Sequence, residues 1–381
     1  RNRFCFISSL YHLSIMLKNN KIDNISLKNR HIWQNKILDW YQVHKRQLPW
    51  REEKYQNFYC VWLSEIMLQQ TGVKTVIPYF YKFIRKWPSL NSFSKASLDE
   101  LMFNWQGLGY YQRAKNMFKA INIIKQNYPI KSYEELMKIP GIGTYTAASI
   151  SAILYDSTKA VVDGNIKRII SRVMRLNPAN KTFEKKLNIV AQNLTPKKNN
   201  GLYCQALMDL GSLICRPKNP LCKKCPVNSQ CHYHIHPEKR IKKMFKNNKK
   251  SKFGVAFYLS YKNLVYLEKS DSNFLYGLMK FPCTEFLEIN KNDSQKSEKK
   301  LEKELILNFL KTIKLKFNKY ETYYVRHAFT NFYLKLLVVK IKLKSKNNIR
   351  LNGFWMEKKQ ISCYPFSRLM DKVKIGFDQH E

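Results

Sequence analysis

The chain has 381 residues, enough for two or three domains with separate cores. Hydrophobic residues make up 44% of it, as in globular proteins, and no unbroken apolar run approaches the roughly 18–20 residues of a membrane span, which excludes a helical membrane protein. Lysine and arginine total 68 against 27 acids, a formal net charge of +41 that favours polyanionic partners and salt-dependent nucleic-acid binding. Most of the excess is lysine, with abundant Asn and Ile, a bias that an AT-rich coding sequence produces unaided. Charge alone therefore does not decide the partner.

Residues 1–26 read as a disordered extension. The absence of acids from residues 1–22 also suits a targeting segment, and Met16 offers an alternative start. From 27 to 234 the pattern is helical, with apolar residues at three- and four-residue steps in "VIPYFYKFIRKW", "AKNMFKAINIIKQ" and "IKRIISRVMRL". Pro and Gly punctuate the gaps. The stretch "VWLSEIMLQQT", Val61 to Thr71, is apolar at helical spacing but holds one carboxylate, Glu65, in its middle. An unpaired buried charge is costly, so Glu65 either lies on an exposed helix face or holds a proton.

Further on, "IPGIG", Ile139 to Gly143, joins "YEELMK" to "TYTAASISAIL". The expectation is two helices meeting in a sharp turn made by Gly141 and Gly143, with amides at the second helix's start open to a phosphate. An ordinary helical hairpin has the same glycines. In "VVDGNIKRII", Asp163 follows an apolar pair and precedes a helix, the place of an N-cap. There the helix dipole and free amides favour an ionised carboxylate, which in a cleft stabilises a developing cation.

Nine cysteines are present, five scattered and four packed into "CRPKNPLCKKCPVNSQC" as Cys215, Cys222, Cys225 and Cys231. Scattered thiols suggest a reducing compartment, and the cluster suggests a metal. Soft sulfur ligands suit zinc or an iron–sulfur cluster. A single CxxC knuckle and a wide first gap lean towards a [4Fe–4S] cluster. The run "HYHIH", His232 to His236, offers imidazoles for a second metal, but exposed histidines at a domain end are the plainer reading.

Residues 235–252 form a basic linker, and "EINKNDSQKSEKK" further on reads as a mobile loop. Beyond Lys252 the apolar period changes to two, in "FGVAFYLSY", "LVYLEK" and "FYLKLLVVKIKLK", with one helical candidate, "SEKKLEKELILNFLKTI". A smaller α+β domain over 253–375 is expected.

The strings "LPWR", "VWLSEIMLQQTGVKTVIPYF", "GLGYY", "PGIGTYTA", "VDGNIKR", "QALMDLG" and the cysteine loop, in this order, resemble adenine DNA glycosylases of the MutY type, within the helix–hairpin–helix glycosylase superfamily. The likeness is close from Trp33 to Cys231 and weaker from Phe253 to about Leu369. It implies a mainly α helix–hairpin–helix DNA glycosylase domain over 27–234, with an iron–sulfur cluster loop at 215–231, followed by a C-terminal α+β Nudix-like domain. It also implies a monofunctional enzyme that cuts the N-glycosidic bond of adenine mispaired with 8-oxoguanine or guanine in double-stranded DNA.

By the same resemblance Glu65 is the general acid, raised in pKa by apolar neighbours, and Asp163 stabilises the oxocarbenium-like sugar. Tyr145 packs near that sugar and Asn165 orients Asp163 or water. Arg46, Leu48 and Trp50 line the adenine pocket, Gln69 and Gln70 fill the gap in the duplex, and Tyr110 wedges beside 8-oxoguanine. "VRHAFTNF" stands where the family has its Phe-Ser-His loop, with Phe329 and Thr330 as counterparts and Asn331 replacing the histidine. "GLMKFP", Gly277 to Pro282, also matches, but "SEKKLEKEL" lacks the metal-binding glutamates of a Nudix hydrolase. The cluster implied is [4Fe–4S], the oligomeric state monomeric, and the location bacterial cytoplasm, with the nucleoid when bound. Two rivals remain: an endonuclease III-like glycosylase/lyase, which needs a lysine where Tyr145 stands, and a decayed, non-catalytic DNA-binding protein.

Overall fold

A computed structural model describes residues 29–239, 249–270, 277–289, 295–314, 320–329, 331–346 and 351–378. The extension predicted over 1–26 lies outside these residues, as does 240–248 of the linker. The chain divides into two compact units: residues 1–70 with 126–244, and residues 71–125 with 245–381. This division does not follow the basic linker. The helices after Thr71 group with the C-terminal region, as two hydrogen bonds illustrate: Tyr111 Oη donates to the Phe366 carbonyl at 3.4 Å and Gln106 Nε2 to Asp371 Oδ1 at 3.4 Å.

In the first unit the main helices are Arg30–His44, Phe58–Leu68, Thr144–Tyr155, Gly164–Val173, Phe183–Leu194 and Asn200–Leu213. Trp33, Ile37, Ile166, Ile170, Leu187, Leu207 and Leu210 lie in one buried core shared by five of them. Two polar contacts fix the first helix in that core: Trp33 Nε1 donates to Tyr203 Oη at 2.8 Å and Gln34 Nε2 to the Leu194 carbonyl at 3.0 Å. Both satisfy groups that burial would otherwise penalise.

The second unit has helices Val73–Lys86, Leu98–Trp105 and most of Gln112–Asn127. Phe83, Trp87, Phe93 and Trp105 pack there edge-on or tilted. Its sheet contains β1 Lys250–Tyr261, β2 Leu264–Lys269, β3 Met279–Lys280, β4 Leu287–Ile289, β5 Glu321–Ala328, β6 Phe332–Lys342 and β7 Phe354–Glu357. The order is β3-β2-β1-β6-β5, with β4 on β1 and β7 on β2. β1 and β6 pair in parallel, Lys250 opposite Phe332 through Ser260 opposite Lys342.

The period-two pattern predicts one apolar face on β1, and Phe253, Val255, Phe257 and Leu259 fill it against helix Gln295–Thr312. The opposite face is buried as well, with Ala256 and Tyr258 in a core that includes Leu369, Met370 and Val373 of helix Arg368–Asp378. Helices on both sides explain why the small residues on that face are also buried. Two sequence-based boundaries are corrected. β1 begins at Lys250, inside the predicted linker, and the helix predicted from Ser297 begins at Gln295, inside the predicted loop. In "VRHAFTNF", Val325 to Ala328 end β5 and Phe332 begins β6, with Phe329 and Asn331 outside the strands.

Candidate active site

Glu65 sits on helix Phe58–Leu68, whose residues from Phe58 to Met67 are all buried. Asn57 caps its start, accepting from the Cys60 amide at 3.0 Å. The exposed-face alternative is thereby removed: Glu65 is only 5% exposed. Tyr145 Oη donates to Glu65 Oε2 at 3.0 Å. Burial pushes the Glu65 carboxyl above the usual range. The hydroxyls of Ser149 and Tyr145 oppose this, the Asp163 charge adds to it, and Arg51 opposes it more weakly. The Ser149 hydroxyl, though buried near the carboxyl, forms no well-directed hydrogen bond, so Tyr145 is the partner that orients Glu65.

Asp163 is the N-cap of helix Gly164–Val173, as its position predicts. It accepts from the Ile166 amide at 2.6 Å and from Asn165 Nδ2 at 2.8 Å. The expectation of a depressed pKa is corrected. Burial pushes this carboxyl up, and the Ile166 amide, Asn165 and Arg168 offset only part of the rise. Asn165 is held in turn: Arg168 Nη2 donates to its Oδ1 at 2.8 Å and to the Gly211 carbonyl at 2.8 Å, while Arg168 Nε donates to the Cys215 carbonyl at 2.8 Å. Gly211 permits this approach, since a Cβ there would lie 2.5 Å from Asn165 Cβ.

The hairpin glycines differ from each other. Gly141 has φ +83°, a left-handed conformation that favours glycine. Gly143, the N-cap of helix Thr144–Tyr155, is extended at φ −91° and ψ −179°, so the sharp bend expected of both belongs to Gly141 alone. A Cβ at Gly143 would meet nothing within 4 Å, and no side chain caps the helix start.

Of the residues predicted to line the base pocket, Leu48 and Trp50 are buried, at 7% and 6% exposure. The short helix Pro49–Arg51 packs on the Glu65 helix. Arg46 does not point free. Its Nε donates to Asp209 Oδ1 at 2.7 Å and its amide to Asp209 Oδ2 at 2.9 Å. Arg51 donates to the same carboxylate through Nη1 at 2.8 Å and Nη2 at 3.0 Å. Gln69 Nε2 donates to Thr146 Oγ1 at 3.0 Å, and Gln70 is exposed with φ +57°.

In the second unit Tyr110 is 40% exposed and carries φ +48°, an outlying conformation for a bulky side chain. Arg113 secures its loop, donating to the Gly109 carbonyl at 3.1 Å and to Thr71 Oγ1 at 3.0 Å. Burial lowers the Arg113 pKa to about 10. Phe329 is half-buried between His327 and Phe332, each 4.6 Å away between ring centres. Asn331 is exposed, and Thr330 lies outside the described residues.

Cys215, Cys222, Cys225 and Cys231 are half-buried thiols, not in disulfides, lining one small cavity of about 20 Å³ with Ile214, Pro220 and Tyr233. Arg172 Nη1 reaches Cys215 Sγ at 3.2 Å. Among the described residues no three ligand side chains converge tightly enough for one metal ion. Four thiols around a common cavity are soft donors of the kind that bind zinc or an iron–sulfur cluster. His236 pairs with Glu238 at 3.5 Å rather than joining a second site.

A model of the HhH-GPD superfamily of base excision DNA repair proteins matches residues 63–192. With a buried acid, a capped aspartate and a glycine hairpin in one helical unit, the fold and site define a DNA glycosylase, a hydrolase of the base–sugar bond. The chain is 35% identical over 366 residues to the adenine DNA glycosylase of Buchnera aphidicola subsp. Schizaphis graminum, covering 90% of this chain and 98% of that one. It is 37% identical over 211 residues to the human adenine DNA glycosylase, covering 52% of this chain and 39% of that one. A solved thermostable thymine-DNA glycosylase aligns with a TM-score of 0.49 at 25% identity, over 55% of this chain and 97% of that one. The chain belongs to the adenine DNA glycosylase family of base excision repair. Among the described residues no helix is long and apolar enough to cross a membrane.

Arg51, Asp209, Arg168 and Arg113 are the functional candidates that sequence reading missed. Arg51 and Asp209 stood inside the matched strings "LPWR" and "QALMDLG", yet no local pattern marks two side chains 158 positions apart as partners.

Proposed function

We propose that this enzyme, acting as a monomer, removes adenine standing opposite 8-oxoguanine or guanine in double-stranded DNA and leaves an abasic site. The reading rests on one observation above others: a buried carboxyl, Glu65, oriented by the Tyr145 hydroxyl. To reach it, adenine must leave the base stack. Glu65 then gives its proton to N7, and the base–sugar bond breaks with its electron pair passing into the purine. Asp163, fixed by the Ile166 amide and Asn165, supplies negative charge to the sugar cation. Water adds to the sugar carbon and its proton is lost to a carboxylate or to solvent. Tyr145 offers no amine for a Schiff base, which favours base release without strand cutting.

The uncapped amides after Gly143 suit a DNA phosphate, and Gln69, Gln70 and Tyr110 suit the distorted duplex. We assign the loop through Phe329 and Asn331, in the Nudix-like C-terminal region that begins with β1, to recognition of the opposite purine. Cys215, Cys222, Cys225 and Cys231 would hold a [4Fe–4S] cluster, whose chemistry there is to tie down a loop bearing Arg216, Lys218, Lys223 and Lys224. The enzyme works in the bacterial cytoplasm, at the nucleoid when bound.

The test is a labelled duplex with adenine opposite 8-oxoguanine, incubated with enzyme and then treated with alkali. Cleavage only after alkali is expected. Cleavage without alkali would mean a lyase, and binding without cleavage a decayed enzyme. Asn331→His is expected to raise the rate ratio of 8-oxoguanine over guanine duplexes, and an unchanged ratio would remove the loop from that role.

A further inference from the structure

Asp209 is fully buried, on helix Asn200–Leu213, and bears the heaviest ionic load among the described residues. Both its oxygens accept from Arg51, and both accept from Arg46, once through the backbone. Arg51 also donates to the Arg46 carbonyl at 3.3 Å and lies 5.6 Å over the Tyr41 ring. Two cations share one carboxylate, so the group retains one positive charge, spread over three side chains. The Arg51 charge reaches Glu65 and disfavours its protonated form. The other ionisable groups acting on Glu65 are Tyr145 and Asp163, while Cys204 on the Asp209 helix feels the Glu65 charge in turn.

We propose that Asp209 is a positioning residue that turns the guanidinium of Arg51, carried on the short helix packed against the Glu65 helix, onto itself and so keeps its positive charge from acting fully on Glu65. The inference rests on Glu65 being the general acid. A proton donor needs the absence of nearby uncompensated cations, and so does a reaction that builds positive charge on purine and sugar. The arginines remain available to organise the pocket wall, with Asp209 as their counter-charge.

The measurement is single-turnover adenine release across pH, with duplex affinity measured in parallel. In Asp209→Asn the descending alkaline limb moves to lower pH, by on the order of one unit, while duplex affinity is kept. Arg51→Gln leaves Asp209 with Arg46 alone and moves the limb the opposite way. Adding Arg51→Gln to Asp209→Asn returns the limb towards its original place. A rate that falls by the same factor at every pH, or single variants that shift the limb in the same direction, would overturn the proposal. If Asp209→Asn does not fold, Arg51→Gln carries the test, and an unmoved limb overturns it. Failure of the underlying reading looks different: Glu65→Gln would still release adenine.

Discussion

Two carboxylates are buried in the first unit, and their surroundings are opposite. Glu65 is walled by apolar residues and meets hydroxyls, so burial wins and its pKa rises. Asp209 is just as dry, and burial alone would raise it, but Arg51 and Arg46 overcome that and the net direction is downward. The difference teaches that burial does not fix a carboxyl's role; the charge of its partners does. Glu65 is set towards the protonated form, and Asp209 towards the charged one.

The comparison breaks most visibly through activity. Glu65→Gln is expected to remove adenine release almost entirely, by at least the ~10²–10⁴ of a positioned acid, with duplex affinity kept. Ordinary turnover in that variant would end the assignment. Stability is the matching readout for the other carboxylate. Asp209→Ala leaves two half-buried guanidinium groups without their counter-charge and should cost about 2–3 kcal/mol in urea unfolding, whereas a loss below about 1 kcal/mol would show the clamp to be ornamental.

Asp163 lies between the two cases, half-buried and hydrogen-bonded. Asp163→Asn should slow base release by about a hundredfold, and a slowing below about tenfold would contradict its part in the reaction. The gentlest probe is thermal unfolding against pH. With a raised pKa, Glu65 contributes its stability at acid pH and loses it as pH rises through the folded value, so Glu65→Gln should gain on the wild type towards alkaline pH. Asp209, with a lowered pKa, contributes above the ordinary aspartate range and loses as pH falls through the folded value, so the deficit of Asp209→Asn should shrink in acid. Parallel trends for the two variants would erase the distinction.

Much of this was legible in sequence where the signal is local. A largely apolar run made burial one of two readings for Glu65, an aspartate before a glycine and an apolar run announced the Asp163 cap, and four close cysteines announced side chains that line one cavity. Alternation marked β1, β2 and β6 to within a few residues. What stayed hidden is non-local or concerns conformation. Arg46 was placed at the adenine pocket by resemblance, but nothing in sequence joined it to Arg51 and the Asp209 carboxylate until the fold did. Gly143 looks like Gly141 in sequence, yet only one needs the left-handed region. The grouping of residues 71–125 with the C-terminal sheet has no marker in composition at all. Nor did alternation reveal β5, where three of the first four residues are polar or exposed tyrosine.

The central claim is that Glu65 holds a proton when adenine reaches it. Difference infrared spectroscopy of wild type against Glu65→Gln, each bound at neutral pH to a duplex carrying a non-hydrolysable adenosine analogue, tests it directly. A protonated carboxyl carbonyl band present in the wild type and missing from the variant is the predicted result; a carboxylate band in its place would contradict the account.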